Sequence, residues 1–481
     1  MNCIRPGTGS YSEETPIPMS DTSLTTDTAG SSVETGHIPE PTTTELHDVT
    51  IAPPAETTAS QGVPEGTTGS ASDNSGTRFL ALNLILAAGF LLTGVNRHAV
   101  TTERVRPTPV VNPELIGPRH DDPDVVSDDV LQAVLHQLRP SLRGKQPKIN
   151  HVDHALRFWG TQAVFDDPDC LSGIEMLQLL TDHRHFQESW GEKTDAFLLP
   201  NTKLTRPYVE FRTRSGSASS SHIDHTLATL AESGTPLDFP LLTPQGELPV
   251  RAAFDFAFDR FRLNQAEYEW SILAFLHYLP ELTGWYTREG QYVTWDMLAD
   301  RLMRERLTRG SCYGTHRLHT LACLLCADDT HQMLSPGARQ TSVAFLSDVT
   351  QRLIATQNDD GYWTADWPGQ SPDKDSDNPG LKLDLISERL LATGHVLEWW
   401  ALAPEEVLPE RDRIIRAAHW LTSTIQSMSP AEIRRNYTFL THAGRALSFW
   451  RGRHPSDIYQ PPVEQEQPVE AQSAEPPEDV E

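Results

Sequence analysis

The stretch Asn150–Trp159, which reads NHVDHALRFW, sets a pattern that recurs along the chain. A small or oxygen-bearing residue precedes a histidine, and apolar residues follow at the spacing of one helix face. The other copies are SHIDHTLATL (221–230), THRLHTLACL (315–324), GHVLEWWAL (394–402) and THAGRALSFW (441–450), and a sixth, EYEWSILAF (267–275), keeps only the apolar part. Asn, Ser, Thr and Gly cap helix N-termini, so the pattern predicts a histidine at the first position of each of five helices.

The spacing of the copies predicts the architecture. From position 151 to 222, 267, 316, 395 and 442 the intervals are 71, 45, 49, 79 and 47 residues. A unit of about 47 residues holds two helices and two turns, which is typical of repeat architectures. The sequence therefore predicts an all-α (α/α)6 toroid of six helical hairpins over residues 128–455. An open solenoid of the same hairpins is the alternative.

A second motif points the same way. Leu353–Trp363, LIATQNDDGYW, has the form L-x3-Q-x3-G-x-W. It resembles the Gln-Trp motif of the squalene–hopene cyclase and protein prenyltransferase superfamily, whose members are α/α toroids. The resemblance implies that Gln357 caps the next helix and that Trp363 stacks on it.

The catalytic motifs of that superfamily are missing. The chain contains no D-x-D-D string, and Gly310-Ser-Cys312-Tyr313 lacks the aspartate of the zinc-binding D-x-C-Y motif. The resemblance therefore implies a fold and leaves the reaction open.

The inner helices of a toroid run in one direction, so their N-termini gather around one mouth. This predicts a central pocket lined by His151, His222, His316, His395 and His442, with Glu398 one turn further on. The same second positions in the other copies hold His154, His225, His319 and Arg445. Burial and the positive end of a helix dipole both favour neutral imidazole, the form that binds metal or acts as a general base. Zinc is the candidate metal, and the alternative is that these histidines only fill space and bond to loops.

The ends of the chain have a different composition. Residues 1–77 and 456–481 are rich in Ser, Thr, Pro and acidic residues, which predicts disordered tails. The formal net charge is −27, of which residues 1–77 carry −10 and residues 461–481 carry −7. A chain without a dense basic face is not a dedicated nucleic-acid binder. Five cysteines are an odd number and too few for a disulfide scaffold.

An uncharged stretch of 17 residues separates the first tail from the rest. Phe79–Val95 would form about 25 Å of helix, near the short limit for crossing a bilayer, so it predicts a single transmembrane helix at 79–95. A Pro-rich linker, 96–127, follows. Arg97, Arg104 and Arg106 stand after the span, so the positive-inside rule places the toroid in the cytoplasm. The sequence thus predicts a single-pass protein of the cell membrane.

Two classes of function stay open at this stage. The toroid is either an enzyme acting on an isoprenoid or polysaccharide substrate, or a non-catalytic module that binds a small molecule or a protein at the membrane. No nucleotide-binding loop, G-x-S-x-G elbow or H-E-x-x-H motif selects a standard hydrolase. The sequence identifies no protein partner.

Overall fold

The computed structural model describes residues 75–104, 106–144, 146–203, 206–369 and 383–459. Residues 1–74 and 460–481, nearly all of the two predicted disordered tails, lie outside this part. The described residues form fifteen α-helices, two short 3-10 turns and three antiparallel pairs of strands. The chain is thus mostly helical, and the three strand pairs correct the all-α prediction.

The helices, in chain order, are α1 (Ser75–Arg104), α2 (Asp128–Gln137), α3 (Ile149–Trp159), α4 (Gly173–Thr181), α5 (His183–Trp190), α6 (His225–Glu232), α7 (Val250–Arg260), α8 (Tyr268–Tyr278), α9 (Trp295–Arg304), α10 (Thr315–His331), α11 (Pro336–Thr356), α12 (Leu385–Trp400), α13 (Arg411–Ser427), α14 (Pro430–Trp450) and α15 (Pro455–Ile458). The strand pairs are β1 (Leu198–Asn201) with β2 (Tyr208–Phe211), β3 (Pro240–Thr243) with β4 (Gly246–Pro249), and β5 (Gly284–Tyr286) with β6 (Tyr292–Thr294).

Six helices form a closed inner ring. In the order α3, α6, α8, α10, α12 and α14 each contacts the next, and α14 contacts α3 again. Outer helices α2, α4, α7, α9, α11 and α13 pack against them. A helix that is enclosed on all sides needs no polar face, and all eleven residues of α8 are buried.

The close approach of α12 and α14 depends on a glycine. A Cβ atom at Gly394 would lie 3.0 Å from the backbone nitrogen of Ala443 and 3.2 Å from its Cα. Hydrogen at this position lets the two helix backbones meet where α12 and α14 carry His395 and His442. The two helices are therefore in close contact beside two of the histidines of the ring.

The motif at 353–363 joins three helices. The Gln357 side-chain amide donates to the carbonyl of Gly361 and to that of Arg413 in α13, both at 3.0 Å. The Trp363 indole donates to the carbonyl of Leu353 in α11 at 2.9 Å, and its backbone N–H donates to Thr393 Oγ1 in α12 at 3.0 Å. These bonds connect outer helices α11 and α13 to inner helix α12.

The predicted transmembrane helix is wrong. The stretch lies within α1, but no helix of the described residues combines the length and the apolar character needed to cross a membrane. Asn83, Gly89 and Thr93 dilute the apolar run, and Asn83 and Thr93 bond back to carbonyls of α1 itself. The fold class is corrected accordingly. The predictions of a single-pass membrane protein and of a location in the cell membrane are also wrong, and the cytoplasmic placement loses the span on which it was based.

The predicted linker, 96–127, makes regular contacts after α1 ends. Four backbone N–H groups of residues 110–122 donate to carbonyls at the C-terminal ends of inner helices. The pairs are Val110 to Tyr278 (2.9 Å), Glu114 to His277 (2.9 Å), Arg119 to Ala401 (3.1 Å) and Asp122 to Trp450 (2.7 Å). Because helix ends leave carbonyls unpaired, this segment satisfies them across one end of the ring.

Candidate functional site

Six imidazoles meet inside the ring, and we call them the histidine cluster: His154, His222, His225, His316, His395 and His442. Ring centroids are 3.9 Å apart for His395 and His442, and 4.5 Å for His316 and His395. They are 4.6 Å apart for His154 and His225, 5.3 Å for His154 and His442, and 6.5 Å for His222 and His316. The remaining inner helix, α8, contributes Trp270 instead of a histidine, and the Trp270 ring lies 4.4 Å from His316 and 4.2 Å from His225.

The structure thus brings together four of the five histidines predicted to line the pocket, and Glu398 with them. His151 lies elsewhere: its ring packs against Tyr437 at 6.0 Å and lines a surface cavity. His154, three residues further along α3, takes its place in the cluster. Three residues are less than one full helical turn of 3.6, so the two side chains project in different directions: His154 faces His225 in the centre, and His151 faces Tyr437.

The predicted first-turn positions hold for only part of the cluster. His316 is the second residue of α10, and His222 precedes α6. His395 and His442 stand deep within α12 and α14, which begin at Leu385 and Pro430. Gly394 and Thr441 are therefore helix-interior residues rather than caps.

Carboxylates and carbonyls fix the orientation of these rings. Glu398 Oε2 lies 3.1 Å from Nδ1 of both His395 and His442. Asp153 Oδ2 lies 2.8 Å from Nδ1 of His225, and the Asn150 carbonyl lies 2.8 Å from Nδ1 of His154. These oxygens accept, so each Nδ1 donates to its oxygen, and a ring in its neutral form has a free lone pair on Nε2.

Nε2 of His225, His395 and His442 is buried and has no hydrogen-bond partner among the described residues. Burial lowers the pKa of His395, and it lowers the pKa of His316 and His442 well below the usual value, with repulsion between the imidazoles adding to the effect. These rings are therefore neutral near pH 7, and their nitrogens can accept a proton or a metal ion.

A group of four buried charges holds Glu398 in place, and we call it the charge quartet: Arg157, Glu232, Glu398 and Arg445. Arg445 donates to Glu398 Oε1 and to Glu232 Oε1, both at 2.7 Å. Arg157 donates to Glu232 Oε1 at 3.0 Å and lies 3.7 Å from Glu398 Oε1. Two positive and two negative groups cancel, as buried charges must if they are to persist. Burial acts to raise the pKa of Glu398, but the neighbouring His319 and His442 and the hydrogen bonds from His395 and His442 hold it well below its usual range.

A strained loop brings a thiol to the cluster. Cys312 Sγ lies 3.2 Å from His316 Nε2. Cys312 and Tyr313 have φ angles of 50° and 56°, in the left-handed region that costs non-glycine residues energy, and Gly310 and Gly314 flank them at 100° and 78°. Backbone strain of this kind concentrates at functional sites, where the surrounding structure enforces it.

The enforcing contact comes from Arg317, which is 2 % exposed. Its guanidinium donates to a run of backbone carbonyls just before the strained loop: Leu302 (2.7 Å), Glu305 (3.3 Å), Leu307 (3.1 Å) and Arg309 (3.2 Å). Arg317 therefore fixes the segment from which Cys312 projects.

Two groups of side chains within this site could hold a metal ion. Cys312, His316 and His395 form one, and His395, Glu398 and His442 form the other; within each group the potential ligand atoms lie within 4.8 Å of one another. Sequence reasoning missed Cys312, because the missing aspartate of D-x-C-Y removed the motif that would have marked it. It named Glu398 and Arg445 at the second positions of their copies, but it missed Arg157 and Glu232, which complete the charge quartet from two other helices and do not share that spacing.

No family model, no curated protein and no solved structure matches this chain. The likeness of the 353–363 motif to terpene cyclases and prenyltransferases therefore stays a prediction. The candidate site is defined by its own geometry: neutral imidazoles, one thiol and an orienting carboxylate, enclosed by six helices.

Proposed function

We propose that this protein is a metal-dependent enzyme whose ring centre binds a transition metal ion through Cys312, His316 and His395, with zinc as the best fit. The observation that carries the proposal is the buried, unpartnered Nε2 of His395, whose potential ligand atom lies within 4.8 Å of those of Cys312 and His316 and whose Nδ1 is held by Glu398. An unpaired buried acceptor is costly, and a bound metal ion would remove that cost.

Glu398 has the position of an orienting group rather than a ligand. Metal-binding histidines usually donate their second ring nitrogen to a carboxylate or carbonyl, which fixes the tautomer and raises basicity. Oε2 of Glu398 already accepts from two imidazoles, and Oε1 accepts from Arg445. Both oxygens are therefore occupied, and this favours the group that contains Cys312.

The Cys312–His316 contact supports this choice. A tetrahedral zinc ion holds sulfur at about 2.3 Å and nitrogen at about 2.05 Å, which places two such ligands about 3.5 Å apart. Sγ of Cys312 and Nε2 of His316 are 3.2 Å apart, so little movement would bring both onto one ion. A mixed thiolate and imidazole set suits zinc or copper(I) and is a poor match for magnesium or calcium.

Three protein ligands leave a fourth position, the arrangement typical of catalytic rather than structural zinc. The neutral His442, whose ring centroid lies 3.9 Å from that of His395 at a tilt of 42°, would be placed to accept a proton from a molecule bound to the ion. Bound zinc would supply a polarised oxygen ligand, while this chain supplies the proton acceptor and excludes bulk water. The isoprenoid and polysaccharide substrates suggested by the sequence stay predictions.

Metal analysis of the purified chain tests the proposal. We expect about one zinc ion per chain, and cobalt substitution should give the absorption band of a thiolate–cobalt bond. Cys312→Ser should abolish that band and weaken metal binding at least tenfold. Cys326→Ser, in α10 with its thiol directed to the Leu402 carbonyl, should change neither. Metal-free protein that takes up no zinc, or a band that survives Cys312→Ser, would contradict the proposal.

A further inference from the structure

A cavity of about 830 Å³ lies outside the histidine cluster, where the first turns of α14 meet the end of α2 and the start of α3. Its wall includes His151, the one predicted pocket histidine that does not join the cluster. A volume of this size is in the range that holds organic ligands.

The rim of the cavity is cationic. Arg139, Lys148, Arg434 and Arg435 line it, against a single lining carboxylate, Asp167. Arg139 lies 3.6 Å from Asp167 and 3.5 Å from the nearby Asp166, and Arg435 lies 3.9 Å from Asp384. Among the described residues, no carboxylate lies within 4.0 Å of the charged nitrogens of Lys148 or Arg434. In a chain of net charge −27, these two unmatched cations mark a local site for an anion.

The rest of the wall is apolar or neutral. Leu142, Met428, Pro430 and Ile433 line it, and Tyr437 contributes its ring while its hydroxyl donates to the Leu138 carbonyl at 3.1 Å. Burial and the neighbouring Lys148 lower the pKa of His151 to about 4, so its imidazole is neutral at pH 7. A cavity lined by both apolar and cationic side chains matches a molecule with an apolar body and one anionic head.

We infer that this cavity binds an amphipathic organic anion, with its phosphate or carboxylate head between Lys148 and Arg434 and its apolar body against Ile433 and Met428. Both cations are on exposed side chains, so they can be changed without disturbing the core. The inference does not depend on the proposed metal site.

Calorimetric titration of the full chain tests it with a matched set of probes. Octyl phosphate and octanoate carry both features, octanol lacks the charge, and inorganic phosphate lacks the apolar body. We expect octyl phosphate or octanoate to bind at least tenfold more tightly than octanol and inorganic phosphate. Whichever of the two binds more tightly identifies the head group.

Charge reversal locates the site. Lys148→Glu and Arg434→Glu should each weaken octyl phosphate binding at least tenfold, while Arg304→Glu on α9, which is also exposed but does not line the cavity, should not. Three results would each overturn the inference. Octanol and octyl phosphate could bind equally well, both cavity variants could bind as wild type does, or the chain could bind only vesicles that contain anionic lipid. Binding that persists after metal removal separates this result from the fate of the metal proposal.

Discussion

Glu232 shows how individual residues of the charge quartet depend on one another. Its carboxylate accepts from both Arg157 and Arg445, and its side chain is 4 % exposed. Removing one member of a buried ion group leaves the others uncompensated, which costs far more than the pair contributes.

Glu232→Gln is therefore expected to lower the free energy of unfolding by about 3–5 kcal/mol, measured by urea denaturation. Asp300→Asn breaks an ion pair on the surface, with Arg304, and should stay within about 1 kcal/mol of wild type. Similar losses in the two variants would show that the quartet is not coupled as described.

The two histidines on Glu398 have different expected roles. His395→Gln removes a proposed ligand and should lower zinc content to background, whereas His442→Gln removes only the proton acceptor and should leave one zinc ion per chain. Both side chains are buried against the same carboxylate, so each variant is the folding control of the other. If both variants lost zinc, His442 would be a fourth protein ligand, and the site would have no open position for a substrate.

Glu269 gives a pH dependence. Burial raises its pKa to about 7 from the ordinary 4.5. A carboxyl whose pKa is higher in the folded state gives its full stabilisation below the unfolded-state value and loses it as the pH rises through the folded value.

Glu269→Gln removes this loss, so its stability relative to wild type should grow between about pH 4 and about pH 8 by on the order of 3 kcal/mol. Paired unfolding titrations at the two pH values check this expectation. Glu192→Gln on the surface should show no such trend, and a flat difference for Glu269→Gln would rule out a buried charge at this position.

The limits of sequence reasoning are clearest at single residues. The recurring histidine identified chain segments that lie on inner helices, but it did not tell His151 from His154. Both fit an apolar helical stripe, and only the rotation of α3 against α14 decides which one faces the centre. The position of Cys312 could not be predicted from the sequence. It depends on a strained loop and on carbonyl contacts with Arg317, and neither produces a periodic sequence pattern.

At the scale of elements, each of the six repeated segments lies on one helix of the inner ring. The sequence predicted Gly394 and Thr441 as N-cap residues, although α12 and α14 begin two to three turns earlier. Small residues suit helix starts and also suit close helix packing, and the sequence does not separate the two reasons. The short strand pairs escaped notice because three or four residues are too few to show alternation.

Gly394 gives a test of that packing. Gly394→Val would push a branched side chain into the backbone of Ala443 and should cost about 2–3 kcal/mol of unfolding free energy, because overpacking outweighs the gain in helix propensity. A Cβ atom at Gly337, near the start of α11, would meet nothing within 4 Å, so Gly337→Ala should be neutral or slightly stabilising. Thermal unfolding of the two variants compares the sites, and a stable Gly394→Val would mean that α12 and α14 can separate freely.

At the scale of the whole molecule, charge is arranged unevenly around the cationic cavity. Tyr459 packs against His136 of the cavity wall at 4.9 Å. The next residues, 461–481, carry seven acidic side chains and no basic one. We expect a segment of this charge, joined to Tyr459, to compete with an anionic ligand for the cations of the cavity.

Ending the chain after Gln460 should therefore strengthen octyl phosphate binding several-fold at low ionic strength, and the effect should shrink as salt screens the charges. Deleting residues 1–74, which also removes net negative charge, serves as the comparison. An equal gain from both deletions would indicate a general field effect, and no gain from either would show that the tail does not reach the site.

The contact between α14 and α3 has a consequence for biosynthesis. It joins parts of the chain that are nearly 300 positions apart, as in the bond from Asn150 to Thr438 across 288 residues. Neighbouring hairpins can form as they leave the ribosome, but the contact between α14 and α3 can form only after α14 has been synthesised. His154 and His442 meet across that contact, so a truncated product that stops before α14 would keep much of its helical content and still lack a finished centre.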